Sequence, residues 1–241
     1  MSTILNVHSI ESFATLEGAG IRYALFLQGC PYRCVYCHNP DTWKCGIGKP
    51  KTVDSISEQM QHYKSFYKNG GGLTVTGGEP LMQSEGVLEL FKRVHTELGL
   101  TNTIDTSCAV IPENINEILH YTDLVIVDLK FHNNEDYKTY ANGSLDNTIA
   151  MLNKTLQMGV KVLIRTVIVP NINDSEEDID KYVQIVNRYP NVVKYELLGY
   201  HTMGVFKYKE LDMKYRLEGV EPLSVTKLKE LQNIANSKLK I

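Results

Sequence analysis

Three cysteines in one short segment carry the chemistry that this sequence can be read for. Cys30, Cys34 and Cys37 stand in GCPYRCVYCHNPDTW at C-x3-C-x2-C spacing, so a single loop can present three thiolates. A cubane iron–sulfur cluster usually takes four cysteine ligands, and three leave one iron open to another molecule. Two other chemistries fit the same residues. Cys34-Val-Tyr-Cys37-His38 matches the C-x-x-C-H of covalent haem attachment, and Cys30, Cys34, Cys37 and His38 could give Cys3His ligation of zinc. Haem attachment demands export, and MSTILNVHSIESF has no basic stretch followed by a long apolar run. Structural zinc ligands usually come as two separated pairs, and there is no second pair. Cys45 and Cys108 read as small side chains rather than ligands.

Further polar residues fall where strands should end. Thr76-Gly77-Gly78-Glu79-Pro80 closes one apolar run, and its two glycines let main chain approach a ligand closely. Asp105-Thr106 closes the next, and Asp128-Leu129-Lys130 the one after. A lone aspartate at a strand end is usually a helix cap. Two on successive strands of one face make an oxygen site suited to a hard cation, with Lys130 able to neutralise a carboxylate beside it.

These positions need a scaffold that gathers strand ends. Apolar, β-branched runs predict strands at Arg22–Gln28, Leu73–Thr76, Thr103–Thr106, Leu124–Leu129, Lys161–Val169 and Val193–Leu198. Helical patterns lie between them. One carries Val53, Ile56, Met60, Tyr63 and Tyr67, with Ser55-x-x-Glu58 as a capping box. Another carries Val87 to Leu98 and is stopped by Gly99. A third opens at Pro112. A fourth runs from Leu145 to Leu156 and ends before Gly159. A fifth is capped by Asp174-x-x-Glu177, and Val225 to Ile234 mark the last. Six strands alternating with helices predict an α/β fold with a parallel sheet and right-handed crossovers, two strands short of a closed eight-stranded barrel.

The 241 residues are 43% hydrophobic and 22% charged, an ordinary globular composition, and the net charge of −3 gives no general affinity for nucleic acid. No apolar run is long enough to span a membrane. An odd count of five cysteines without an export signal points to a reducing cytoplasm and to metal binding rather than disulfides.

TLEGAGIR (15–22), FLQGCPYRCVYCHNPDTW (26–43), TVTGGEP (74–80), DLVIVDLK (123–130), LIRTVIVP (163–170) and LLGYH (197–201) follow in order. The cysteine spacing resembles the radical S-adenosylmethionine (SAM) superfamily. The whole set resembles its pyruvate formate-lyase activating enzymes, the activases of a glycyl radical enzyme. The resemblance implies a single radical SAM domain over 1–241, built as a partial (β/α)6 TIM-like barrel open on one side. It implies a [4Fe-4S] cluster on Cys30, Cys34 and Cys37, with SAM on the open iron. Reductive cleavage of SAM would give a 5′-deoxyadenosyl radical, which takes a Cα hydrogen from a glycine of pyruvate formate-lyase. No side chain is needed as an acid or base. The SAM contacts carried over are Tyr36, Cys37, His38, Gly78, Asp128, Leu129, Lys130 and His201, with Arg165 also lining the pocket. Residues alone would put His201 in a surface loop. Asp105, Thr106, Asp128 and the backbone of Ile126 match a monovalent-cation site for sodium or potassium. The implied partners are pyruvate formate-lyase and a flavodoxin or ferredoxin as electron donor, and the implied state is a monomer.

The family's usual DTNG is here Asp105-Thr106-Ser107-Cys108, and Glu17-Gly18-Ala19-Gly20 replaces an aspartate and Gly-Pro-Gly. Between Cys37 and Thr74 only Cys45 remains, which leaves no ferredoxin-like insert. The rival readings are activation of another glycyl radical enzyme, a small-molecule enzyme such as a 7-carboxy-7-deazaguanine synthase, and a zinc-binding module.

Overall fold

The computed structural model describes residues 2–241. All strands join one eight-stranded sheet, in the order β3-β1-β2-β4-β5-β6-β7-β8. Strands β2 (Arg22–Leu27), β4 (Gly72–Gly77), β5 (Thr101–Thr106), β6 (Leu124–Asp128), β7 (Lys161–Ile168) and β8 (Val192–Gly199) are mutually parallel. They are the six strands expected from sequence, with boundaries within two residues, and they form the open six-stranded arc. β1 (Ile4–Ala14) and β3 (Lys49–Thr52) extend the arc antiparallel on the β2 side and were not expected. β1 carries an irregular register against β2, with shifts between Val7 and Ser9 and between Glu11 and Ala14. β3 reads Lys-Pro-Lys-Thr, and its strand geometry comes from pairing with β1 rather than from propensity.

Helices α1 (Val53–Tyr63), α2 (Ser84–Arg93), α3 (Ile115–His120), the single turn α4 (Asn134–Asp136), α5 (Leu145–Gln157), α6 (Glu176–Val186), α7 (Val205–Glu210) and α8 (Val225–Lys238) fill the connections. Three predicted caps are corrected. α1 is capped by Thr52, whose hydroxyl accepts from the Ser55 amide, so Ser55 lies inside the helix. Pro112 sits in the turn before α3, where its carbonyl accepts from the Ile115 amide. The box on α6 is Ser175–Asp178, one residue beyond the expected pair, because the Ser175 hydroxyl and the Asp178 carboxylate satisfy each other's main-chain amides. Gly99 and Gly159 take the left-handed stops expected of them, at φ 61° and 68°.

The main core lies between sheet and helices, where Leu25, Val75, Ile104, Val125 and Ile164 meet Leu90, Phe91, Ile118, Leu152 and Ile179, all fully buried. Each such side chain contributes about 1.5–3 kcal/mol, which holds the strand ends in register. A second, aromatic core of Tyr32, Tyr36, Phe131, Tyr137, Tyr200, Tyr208 and Tyr215 underlies the cysteine loop.

At the amino-terminal end of the arc, Arg22 is 1% exposed, and its hydrogen-bond partners are all neutral. It donates to the hydroxyls of Thr74, Thr101 and Thr103 and to the carbonyls of Leu73 and Ala19. Burial lowers its pKa to about 10. The Thr74 hydroxyl donates in turn to the Glu17 carbonyl at 2.7 Å, so the 15–21 loop is fastened under the barrel floor. Among the described residues, no helix is long and apolar enough to cross a membrane.

Candidate functional site

The cysteine loop leaves the carboxyl end of β2. Gly29 adopts φ 105°, and its carbonyl accepts from the Glu79 amide at 2.7 Å, while the Gly78 amide donates to the Leu27 carbonyl at 2.9 Å. These bonds stack the Gly-Gly-Glu turn on the start of the cysteine loop. A Cβ at position 78 would lie 2.2 Å from the Gly29 oxygen, so only glycine allows this approach.

Two distant segments hold the rest of the loop. The amides of Arg33 and Val35 donate to the carbonyls of Ala141 and Tyr140, both at 2.8 Å. On the other side, the Tyr208 hydroxyl donates to the Cys37 carbonyl at 3.0 Å. The Lys207 ammonium bonds Asn39 Oδ1 and Asp41 Oδ2, each at 2.9 Å. Gly204 packs so closely on His38 that a Cβ there would lie 2.7 Å from His38 Cα. The Arg33 guanidinium covers Trp43 at 5.0 Å, and Trp43 meets Tyr208 edge-on.

Cys30, Cys34 and Cys37 are free thiols lining one cavity of about 260 Å³, together with Tyr36, His38, Gly78, Asp105, Asp128, Lys130 and Arg165. Burial pushes the thiol pKa up, to about 12 for Cys30 and about 11 for Cys37, and raises Cys34 as well. Unliganded, they stay protonated, and binding a metal centre there would release protons. Three thiols converging on one chamber without a disulfide fit a cluster with one iron left open. A single zinc ion would need its ligands gathered tetrahedrally around it. A cubane instead spreads its ligands over separate irons.

Opposite the thiols, Asp105 Oδ2 accepts from the Thr76 hydroxyl at 3.0 Å. Burial, with Asp128 beside it, pushes the Asp105 carboxyl up to about 7. Asp128 Oδ2 pairs with the Lys130 ammonium at 2.9 Å. Burial alone would lower Lys130; the attraction and hydrogen bond of Asp128, added to the pull of Cys34 and Tyr36, outweigh it together and the ammonium stays charged. Arg165 crosses the chamber wall: its Nε is 3.3 Å from Glu196, and its Nη2 donates to the Leu16 carbonyl at 2.7 Å.

The other expected site residues are placed as follows. His201 stacks on His38, with ring centroids 4.1 Å apart and planes 22° apart, and its carbonyl lies 3.1 Å from His38 Nε2. The loop position expected from the residues alone thus stands against the cysteine loop. Burial lowers the His38 pKa. Tyr36 is buried against Phe131, and its hydroxyl has no partner among the described residues. The side chains of Leu129 and Ile126 are fully buried outside the chamber lining, so only their main chain is available to a ligand. Thr106 spends its hydroxyl on Glu79, at 2.8 Å, rather than facing Asp105. Sequence reasoning passed over Thr76, Asn39, Trp43 and Ser107, which also line the chamber. Alternation along β4 could have found Thr76, two residues before Gly78. A cleft of about 820 Å³ adjoins, walled by residues 15–19, Glu196 and Leu198, and shares Thr76, Asp105 and Arg165 with the cysteine chamber.

An open parallel arc with a three-thiol loop after its first parallel strand, beside a Gly-Gly-Glu turn, defines the radical SAM class of fold. Residues 16–150 match the 4Fe-4S single cluster domain family. The chain is 40% identical to the pyruvate formate-lyase-activating enzyme of Clostridium pasteurianum over 94% of each, and 39% identical to that of Staphylococcus epidermidis over 98% of this chain and 97% of that one. It belongs to the pyruvate formate-lyase-activating enzyme family. In fold it is similar to a domain of the Bacteroides vulgatus pyruvate-formate lyase-activating enzyme (TM-score 0.57, 20% identity, 70% of this chain and 95% of that one). It is also similar to a radical SAM methyltransferase from Sphaerobacter thermophilus (TM-score 0.65, 14% identity, 90% and 64%).

Proposed function

We propose that this chain is a radical SAM activase that generates a glycyl radical on pyruvate formate-lyase by removing a Cα hydrogen from one of its glycines. One observation carries the reading. The three-thiol loop, the Gly78 main chain and the Asp105–Asp128–Lys130 group face one chamber, which shares its Thr76, Asp105 and Arg165 wall with a second cleft of about 820 Å³. When bound, the reduced cluster and SAM supply the hydrogen-abstracting radical, and the protein supplies placement.

Cys30, Cys34 and Cys37 hold the cluster. The Gly78 main chain, Asp128, Leu129, Lys130 and His201 orient SAM around it, with Tyr36, Cys37 and His38 along its nucleoside. Asp105 and Asp128, with main-chain oxygens of Thr106 and Ile126, hold a sodium or potassium ion against the cofactor's carboxylate. Residues 1–241 act as one domain and as a monomer in the cytoplasm, where a flavodoxin or ferredoxin delivers the electron. No proton-transferring side chain is required. Glycine suits the substrate position because without a Cβ its main chain can come close.

The test is anaerobic reconstitution, reduction, and incubation with SAM and pyruvate formate-lyase. Electron paramagnetic resonance (EPR) should show a glycine-centred doublet on the partner, which disappears when that glycine is changed to alanine. Robust 5′-deoxyadenosine formation with a small pterin-like substrate and no protein radical would transfer the chain to the deazaguanine-synthase type. Zinc without iron or sulfide would end the radical reading.

A further inference from the structure

Glu79 is fully buried, pairs with no cationic side chain among the described residues, and its carboxylate is surrounded by donors. One oxygen accepts from the Leu81 amide at 3.0 Å and the Thr106 hydroxyl at 2.8 Å. The other accepts from the Ser107 amide at 3.0 Å, the Ser107 hydroxyl at 2.6 Å and the Ala109 amide at 3.4 Å. The Thr106 hydroxyl also accepts from the amide of Cys108, which holds φ 58°. The main chain of Glu79 adds the bond to Gly29. One side chain therefore joins three pieces of the chamber wall: the start of the cysteine loop, the turn carrying Gly78, and the end of β5 just beyond Asp105.

We propose that Glu79 is a positioning residue that locks Gly78 and the 105–109 segment into one unit, so that the main chain meeting the amino end of the cofactor and the carboxylate of Asp105 keep a fixed spacing. This rests on the SAM-binding reading above. Ser107, which donates both its amide and its hydroxyl to Glu79, is the main contact of the lock. An ionised carboxylate suits the place because it only accepts. A carboxamide fails in either orientation. With its nitrogen on one side it meets the Ser107 and Ala109 amides donor to donor, and on the other side it meets the Leu81 amide. A buried unpaired donor results in both cases.

The experiment compares wild type, Glu79→Gln and Ser107→Ala after anaerobic reconstitution. Iron and sulfide per chain and the EPR spectrum of the reduced cluster are measured first, and SAM is then titrated against the change it causes in that spectrum. Glu79→Gln should retain the cluster, since no thiol is touched, and bind SAM at least tenfold more weakly with an altered SAM-induced spectrum. Ser107→Ala keeps the charge and should show a smaller loss of the same kind, about threefold to tenfold. If Glu79→Gln does not fold, Ser107→Ala decides alone. Wild-type SAM affinity and spectrum in the folded variants would overturn the proposal. Loss of cluster in proportion to loss of SAM response would also overturn it, because that is the mark of a merely structural residue. A wild-type cluster blind to SAM would instead overturn the SAM reading itself.

Discussion

Individual side chains in the chamber make sharp demands. Replacing Cys30, Cys34 or Cys37 by alanine should abolish SAM cleavage and impair cluster retention, whereas Cys45→Ala and Cys108→Ala should leave a SAM-responsive cluster. Iron analysis and 5′-deoxyadenosine assay check both halves, and a Cys45→Ala variant as empty as Cys34→Ala would sink the three-ligand model. Asp105 predicts a pH dependence in cation-free protein. Its folded pKa is raised to about 7, above the unfolded value of about 3.9. The folded state therefore holds an extra proton between those values. Stability from this group is present in acid and falls as pH rises from about 4 to about 7, by at most about 1.4 kcal/mol per pH unit. Denaturant unfolding of Asp105→Asn should show its advantage over wild type growing from pH 5 to pH 7; parallel curves would refute the raised pKa. The thiols were legible from type and spacing, Asp105 and Asp128 only as a pair on successive strand ends, and Gly78 only through the family resemblance; all of them line one chamber. The part Glu79 plays was hidden from sequence, since its five donors come from residues 81 to 109, two of them ordinary hydroxyls.

At the level of elements, every parallel strand was legible from apolar, β-branched runs, and helix ends were legible where glycine stops them. β1 and β3 were not, because β1 pairs with β2 in an irregular register and β3 reads Lys-Pro-Lys-Thr, which carries no strand propensity. The free edge of β8 shows another feature hidden from sequence. Gln232 on α8 accepts from the Leu197 amide at 2.8 Å and donates to the Tyr195 carbonyl at 3.3 Å, so its amide stands in for a neighbouring strand. Unpaired edges invite pairing with other chains. Gln232→Ala should cost about 1–2 kcal/mol and raise hydrogen exchange at the Leu197 amide more than at the Ile164 amide inside the arc. Equal protection in both proteins would show that the amide is not needed.

Over the whole molecule, the cysteine loop is shaped less by its own sequence than by what closes on it from Tyr140–Ala141 and from the 201–210 segment. Lys207→Ala removes the bonds to Asn39 and Asp41. It should leave the fold within about 1 kcal/mol of wild type, since the pair is partly exposed. A chelator should nevertheless strip the cluster several-fold faster, and an unchanged stripping rate would remove the clasp from the account. The same clasp has a consequence for synthesis. The bond from Tyr208 to the Cys37 carbonyl spans 171 positions of the chain. At roughly 5–20 residues per second, a ribosome exposes the three thiols on the order of ten to thirty seconds before the tyrosine that fastens them exists. The nascent loop is thus unformed and open to oxidation or stray metals throughout that interval, and correct loading belongs after release, when the chain's last quarter has folded back over its first.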